Sequence, residues 1–257
     1  MSKIKNAFEN KKAFIGFLTA GDPSLEKTEE FVLEMERAGA ALVELGIPFS
    51  DPIADGPVIQ EANLRALGAG CTTEKIFDMV ASLREKTQIP LVFLTYLNTV
   101  YKYGYEKFCE KCQACGVDGL IIPDLPFEEQ EELAPIARNN DVDGITMSAP
   151  TSKERIEMVA KDATGFLYVV SSMGVTGARS EITTDLGEIV ETIRSVTDTP
   201  TAIGFGINTK EQVHKYSAIS DGAIIGSAIV KIIGKYGENA GEELGRYVRE
   251  MVSGLAE

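Results

Sequence analysis

Residues 41–56 read ALVELGIPFSDPIADG, and the order of residue types in this stretch decides the fold. Ala41, Leu42, Val43, Leu45 and Ile47 make an apolar run of strand length, suited to a strand buried on both faces. One charge interrupts it, Glu44. A carboxylate inside such a strand is costly unless it is paired or neutralised, so its presence needs a reason. Past Gly46 and Pro48 the chain turns through Ser50, Asp51 and Pro52. A second acid, Asp55, follows, and Gly56-Pro57 closes the loop. One acid within a strand and another on the loop at its C-terminal end is the layout of a barrel active site.

Working outward, the same alternation recurs along the whole chain. Strand-like runs fall at 13–19, 41–47, 90–97, 119–125, 144–149, 166–172, 201–207 and 222–228. Helical patterns follow each: from Ser24, from about Val58 and again to Lys86, over 104–115, and from Phe127, Ser152 and Asp185. The last ones are a short helix to Tyr216, one at 229–233 and a longer one at 239–253. A short helix over 2–9 leads the chain. Eight strand–helix units with mostly short connections predict a parallel sheet with helical crossovers. In 257 residues the fold class is α/β, a single (β/α)8 TIM barrel with a short N-terminal helix and extra helices after strands 2 and 8. No linker or composition break appears, so residues 1–257 are expected to form one domain. The two longest strand-to-helix loops, 48–57 and 173–184, belong to the expected active face, the second reading as a lid.

Composition narrows the function. The formal net charge of −14 makes nucleic acid an improbable partner, since its phosphates want a basic face. No apolar run reaches membrane-spanning length, and the basic start MSKIKNAFENKKAF lacks a signal peptide's apolar core, so a cytoplasmic location is expected. Three of the four cysteines, Cys109, Cys112 and Cys115, stand at steps of three on an expected helix. With no second cluster or nearby His they read as buried thiols rather than a metal site, and no metal is expected.

The candidate chemistry follows from what the strands do and do not carry. The only histidine, His214, falls on a helix, and no strand run contains a lysine, which disfavours His-ligated metal and Schiff-base chemistry. Carboxylate acid–base chemistry remains, with Glu44 and Asp55 as the leading pair and Tyr168 as a neutral neighbour. Desolvation raises the pKa of a strand-borne acid, which suits a group that gives and takes a proton. Gly206, Gly226 and Ser227 stand after strands seven and eight, where barrels often bind phosphate through backbone N–H groups and a helix N-terminus.

The stretch LVELGIPFSDPIADGPVIQ closely resembles the signature of the tryptophan synthase alpha subunit family. The similarity continues through PDLPFEE (123–129), SSMGVTGAR (171–179), GFGI (204–207) and GSAIV (226–230), covering nearly the whole chain in order. The resemblance implies a lyase that splits indole-3-glycerol phosphate into indole and glyceraldehyde 3-phosphate. It casts Glu44 as the acid and base, and Asp55 as the group holding the indole N–H. Phe17, Leu94 and Phe205 would sandwich the indole, with Tyr168 beside Glu44. Gly177, Gly206, Gly226 and Ser227 would cradle the phosphate, and Thr176 would close onto Asp55. It also implies a beta subunit in an alpha2beta2 heterotetramer, faced by Pro48, Asp51 and residues 123–129. Pyridoxal phosphate is then expected only on that partner, and no cofactor on this chain. Two alternatives stand beside it: a catalytically weak barrel that activates a beta-type partner, and another phosphate-binding barrel enzyme.

Overall fold

The computed structural model describes residues 3–9, 11–171 and 186–256. Its centre is one sheet of nine parallel segments: β1 Ala13–Thr19, β2 Leu42–Gly46, β3 Leu91–Leu94, β4 Gly119–Ile121, β5 Asp143–Gly144, β6 Thr146–Ser148, β7 Leu167–Val170, β8 Thr201–Gly204 and β9 Gly222–Ile225. Their spatial order is β5-β4-β3-β2-β1-β9-β8-β7-β6. The two ends of that series are one stretch of chain. β5 pairs with β4, β6 pairs with β7, and between them the Ile145 N–H donates to the Leu120 carbonyl at 2.8 Å. Nine segments therefore make eight staves, and the fifth stave closes the barrel by pairing first on one side and then on the other.

Alternation within apolar runs sorts the side chains into two layers, because successive strand residues point to opposite faces. On β1, Phe14 and Leu18 join the outer core with Phe31, Val32 and Met35 of the helix Leu25–Arg37. Ala13 and Ile15 join the inner core with Leu42, Val92, Ile121, Ile145, Phe166, Tyr168, Ala202 and Ile224. Ile4, Ala7 and Phe8, from the leading helix Lys3–Asn6 and the turn after it, enter the inner core and plug the barrel, Phe8 lying 5.6 Å from the Phe166 ring. The register sets Phe17 beside Glu44 and Glu44 beside Val92, with Leu94 beside Gly46.

The extra helices expected after strands 2 and 8 are present. Pro57–Gly68 and Thr73–Arg84 follow β2, and Ser227–Tyr236 and Gly241–Val252 follow β9. Ser24, Thr72, Ser152 and Thr209 cap their helices with side-chain hydroxyls, as such residues do. Several expected boundaries need correction. The third strand stops at Leu94 rather than residue 97, and a separate helix Leu97–Tyr103 follows before Gly104, with φ +94°, breaks it from Tyr105–Cys115. The fourth strand stops at Ile121, and the helix expected from Phe127 is a 3₁₀ turn Phe127–Glu129 followed by Ala134–Asn139. The eighth stave stops at Ile225, so Gly226 and Ser227 start a helix. These apolar residues lie beyond the last ladder bonds, where the sequence alone shows no stop.

The helix Pro57–Gly68 is tied to the end of β1 by Arg65, whose Nε and Nη2 each donate to Asp22 at 2.8 Å. Asp22 is 1% exposed. Arg65→Met leaves that carboxylate buried without its fork of donors. We expect a loss of about 2–3 kcal/mol in a denaturant titration; an unchanged midpoint would show that the pair does not anchor this helix.

Candidate active site

A cavity opens where the C-terminal ends of the staves splay apart. It encloses about 700 Å³ of non-atom space, the open solvent at its mouth included. Phe17, Glu44, Leu94 and Tyr168 line its base and walls, Ala54 and Asp55 come from the loop after β2, and Phe205, Gly206, Gly226 and Ser227 come from the turns after β8 and β9. The structure thus brings together every candidate substrate or catalytic residue that it describes. Thr176 and Gly177, in the expected lid, lie outside the described residues.

Glu44 is 1% exposed and its Oε1 has no hydrogen-bond partner among the described residues. Burial therefore raises its pKa to about 8, and the group holds its proton at neutral pH. The buried Tyr168 shares this pocket; burial first and the Glu44 charge second push its phenol well above the usual range, so it stays neutral. Gly204 makes room for it, since a Cβ there would meet the Tyr168 ring and hydroxyl. Likewise a Cβ on Gly46 would stand 2.7 Å from the Phe17 ring. The two strand glycines are thus shaped by the side chains that line the slot.

Asp55 is buried too. Desolvation raises its pKa, opposed by hydrogen bonds from Asn63 and Tyr96. The Asn63 amide donates to Oδ2 at 3.2 Å, and Gln60 donates to the Asp55 backbone carbonyl at 2.7 Å. Asp55 therefore sits in a polar nest that favours its charged form more than Glu44's surroundings do. Two acids in unlike environments are a recurring device for dividing proton roles.

At the opposite wall, Phe205 has φ +72° and Gly206 φ +83°. A left-handed non-glycine residue is uncommon, and its persistence at a cavity wall marks a backbone held for function. Ser171 holds it by donating to the Phe205 carbonyl at 2.5 Å, and Asn208 donates to the Gly206 carbonyl at 2.8 Å. Phe205 meets Tyr168 edge-on at 6.0 Å. Next to this turn the helix Ser227–Tyr236 starts at Gly226 with no side-chain cap. Its first N–H groups and the positive end of its dipole meet the cavity, an arrangement that binds anions.

Sequence reasoning did not find Ile59, Pro123, Met147, Ile207, Ile224 and Ala228, which complete the lining. It also missed Asn63 and Tyr96. These are ordinary helix and strand-end residues whose role depends on packing across the barrel. His214 is exposed, as expected. Cys109, Cys112 and Cys115 are buried thiols in the outer core, and burial pushes Cys109 and Cys115 up to about 11. Of the residues expected to face a partner, Asp51 is exposed, whereas Pro48 is buried and offers no open surface.

Fold and site together define a (β/α)8-barrel enzyme class: an apolar slot with two unlike carboxyls and an anion-binding helix end on the C-terminal face. The family model for the tryptophan synthase alpha chain matches residues 3–255, and the chain belongs to that family. It is 49% identical over 98% of its length to the tryptophan synthase alpha chain of Lacticaseibacillus casei, covering 94% of that protein. It is 51% identical to the alpha chain of Caldanaerobacter subterraneus subsp. tengcongensis, over 100% of this chain and 99% of the other. Among solved structures, a chain of the tryptophan synthase complex of Pyrococcus furiosus superposes with a TM-score of 0.87 at 36% identity, covering 95% of this chain and 99% of that one. The alpha chain of Legionella pneumophila gives 0.89 at 30% identity, covering 99% and 97%.

The raised pKa of Glu44 has a sign that stability measurements can read. The folded chain keeps this proton to about pH 8, whereas the unfolded chain releases it near 4.5. Stability from this group is therefore full at low pH and falls as pH rises through that window. Glu44→Gln removes the fall, so its melting temperature should gain on the wild type between about pH 5 and about pH 8. A gap that does not change with pH would place an ionised Glu44 in the folded chain.

Proposed function

We propose that this chain cleaves indole-3-glycerol phosphate to indole and glyceraldehyde 3-phosphate, as the alpha subunit of a tryptophan synthase in tryptophan biosynthesis. The observation that supports the reading is a buried Glu44, with a carboxyl oxygen unpartnered among the described residues, in the same apolar slot as Asp55. A retro-aldol cleavage needs somewhere for the released electron pair to go. Indole supplies that sink itself once its C3 is protonated, so neither an imine nor a metal is required. No lysine occurs among the described residues lining the slot.

In this reading Glu44 delivers its proton to C3 and then accepts the proton of the glyceryl hydroxyl as the carbon–carbon bond breaks. Asp55 accepts a hydrogen bond from the indole N–H and offsets the positive charge that C3 protonation creates. Phe17, Leu94 and Phe205 hold the flat bicycle, and Tyr168 packs beside Glu44. The Gly206 turn and the helix start at Gly226-Ser227 receive the phosphate. Residues 1–257 act as one barrel domain.

The solved Pyrococcus furiosus relative is described as an a2b2 complex whose mutual activation has been studied. For this chain we assign the beta-facing surface to Asp51, with Pro48 shaping the loop beneath it, and to residues 123–129. Pyridoxal phosphate belongs to the beta subunit, and this chain works without a cofactor, in the cytoplasm. Among the described residues no helix is long and apolar enough to cross a membrane.

Incubating the purified chain with indole-3-glycerol phosphate, alone and with a beta subunit, tests the assignment through indole release. Glu44→Gln should lower turnover by at least about 10³-fold, while a substrate analogue binds within about threefold of wild type. Retained turnover in Glu44→Gln would remove Glu44 from its role. A wild-type chain inert in both settings would leave only the activator reading.

A further inference from the structure

The loop carrying Asp55 is held from one point in the barrel wall. Tyr96 follows β3, is 2% exposed, and reaches this loop in three ways. Its ring stacks on Phe49 at 5.2 Å between centroids, with 27° between planes. Its hydroxyl oxygen accepts the Ala54 N–H at 3.1 Å. The same hydroxyl lies near enough to the Asp55 carboxylate to act on its charge, lowering the Asp55 pKa. Tyr96 is fixed in turn by the helix it begins: the Leu97 N–H donates to Asp124 Oδ1 at 2.8 Å. Asn63 also donates to the Asp55 carboxylate, at 3.2 Å.

We propose that Tyr96 is a positioning residue of the lyase reaction, the post that sets the β2 loop and aims the Asp55 carboxylate into the slot. The proposal rests on the role given to Asp55 above and names the group that enforces it. A phenol is suited to the task. Burial, with the charges of Asp55 and Asp124, pushes its pKa up, so it remains a donor throughout the working pH range. A donor to a carboxylate favours the charged form, the form needed to grip an indole N–H and face a cation. Among the described residues, the groups around Asp55 are Tyr96 from the end of β3, Asn63 and Gln60 from the helix Pro57–Gly68, and Glu44 and Tyr168 from the slot. Asp124 acts from the end of β4 through Tyr96. No lysine or arginine is among the described lining residues.

Tyr96→Phe keeps the ring and removes the hydroxyl. We expect kcat/KM for indole-3-glycerol phosphate to fall roughly tenfold near neutral pH, and the acidic limb of its pH profile to move up by about one unit. Asp55→Asn should abolish that limb, and adding Tyr96→Phe to it should cost little more. A uniform loss with an unmoved limb, or independent losses in the double variant, would make Tyr96 merely structural and overturn the proposal. Normal Tyr96→Phe kinetics alongside an inactive Asp55→Asn overturns this proposal alone; wild-type turnover in Asp55→Asn overturns it together with the role of Asp55. Should Tyr96→Phe not fold, tyrosine labelled at the ring carbon bearing oxygen provides the second reading. The Tyr96 resonance should shift on Asp55→Asn in the otherwise wild-type chain, and an unmoved resonance would refute the contact.

Discussion

A carboxyl group taken out of water is the constraint around which this barrel is arranged. Glu44 stands in the middle of β2, between Phe17 of β1 and Val92 of β3 in register. Its neighbours offer apolar surface and one neutral phenol, and no cation is among the described residues of the slot. Under those conditions the proton is the cheapest form of neutralisation. The same burial that weakens folding at high pH makes the group an acid at neutral pH. A stabilising partner, such as a lysine across the slot, would ionise Glu44 and remove its capacity to protonate carbon.

The rest of the face complements that acid. Asp55 meets different surroundings by being placed on a loop, where Tyr96 and Asn63 can reach it, rather than in a strand. The anion end is built from backbone: a turn held open by Ser171 and Asn208, and a helix whose first turn has no side-chain cap. A strongly acidic chain can bind a phosphate in this way because the attraction is local to the helix end. Glycines at 46 and 204 give space to Phe17 and Tyr168, so the slot is shaped as much by missing side chains as by those present.

The barrel and its two acids were legible because both rest on local pattern. Eight apolar runs of strand length, and a charge out of place in one of them, are visible in the chain itself. The glycines after the last two staves were legible for the same reason. The split fifth stave was not, because Gly144 to Ser148 is continuous in sequence and its change of pairing partner appears only when the sheet closes. The helix Leu97–Tyr103 was hidden too. Tyr96 supplies no side-chain cap, and the acceptor for the first N–H comes from Asp124, on another stave. Tyr96 and Asn63 were missed for that reason as well: they stand 41 and 8 residues along the chain from Asp55, beyond any local signal.

The protonation state of Glu44 tests this account most directly, and infrared difference spectroscopy of the wild type against Glu44→Gln reads it without turnover. The account predicts a protonated carboxyl stretch at neutral pH that titrates away near pH 8. A carboxylate band already present at about pH 6, with no protonated band to lose above it, would contradict the claim that burial keeps this acid charged with its proton.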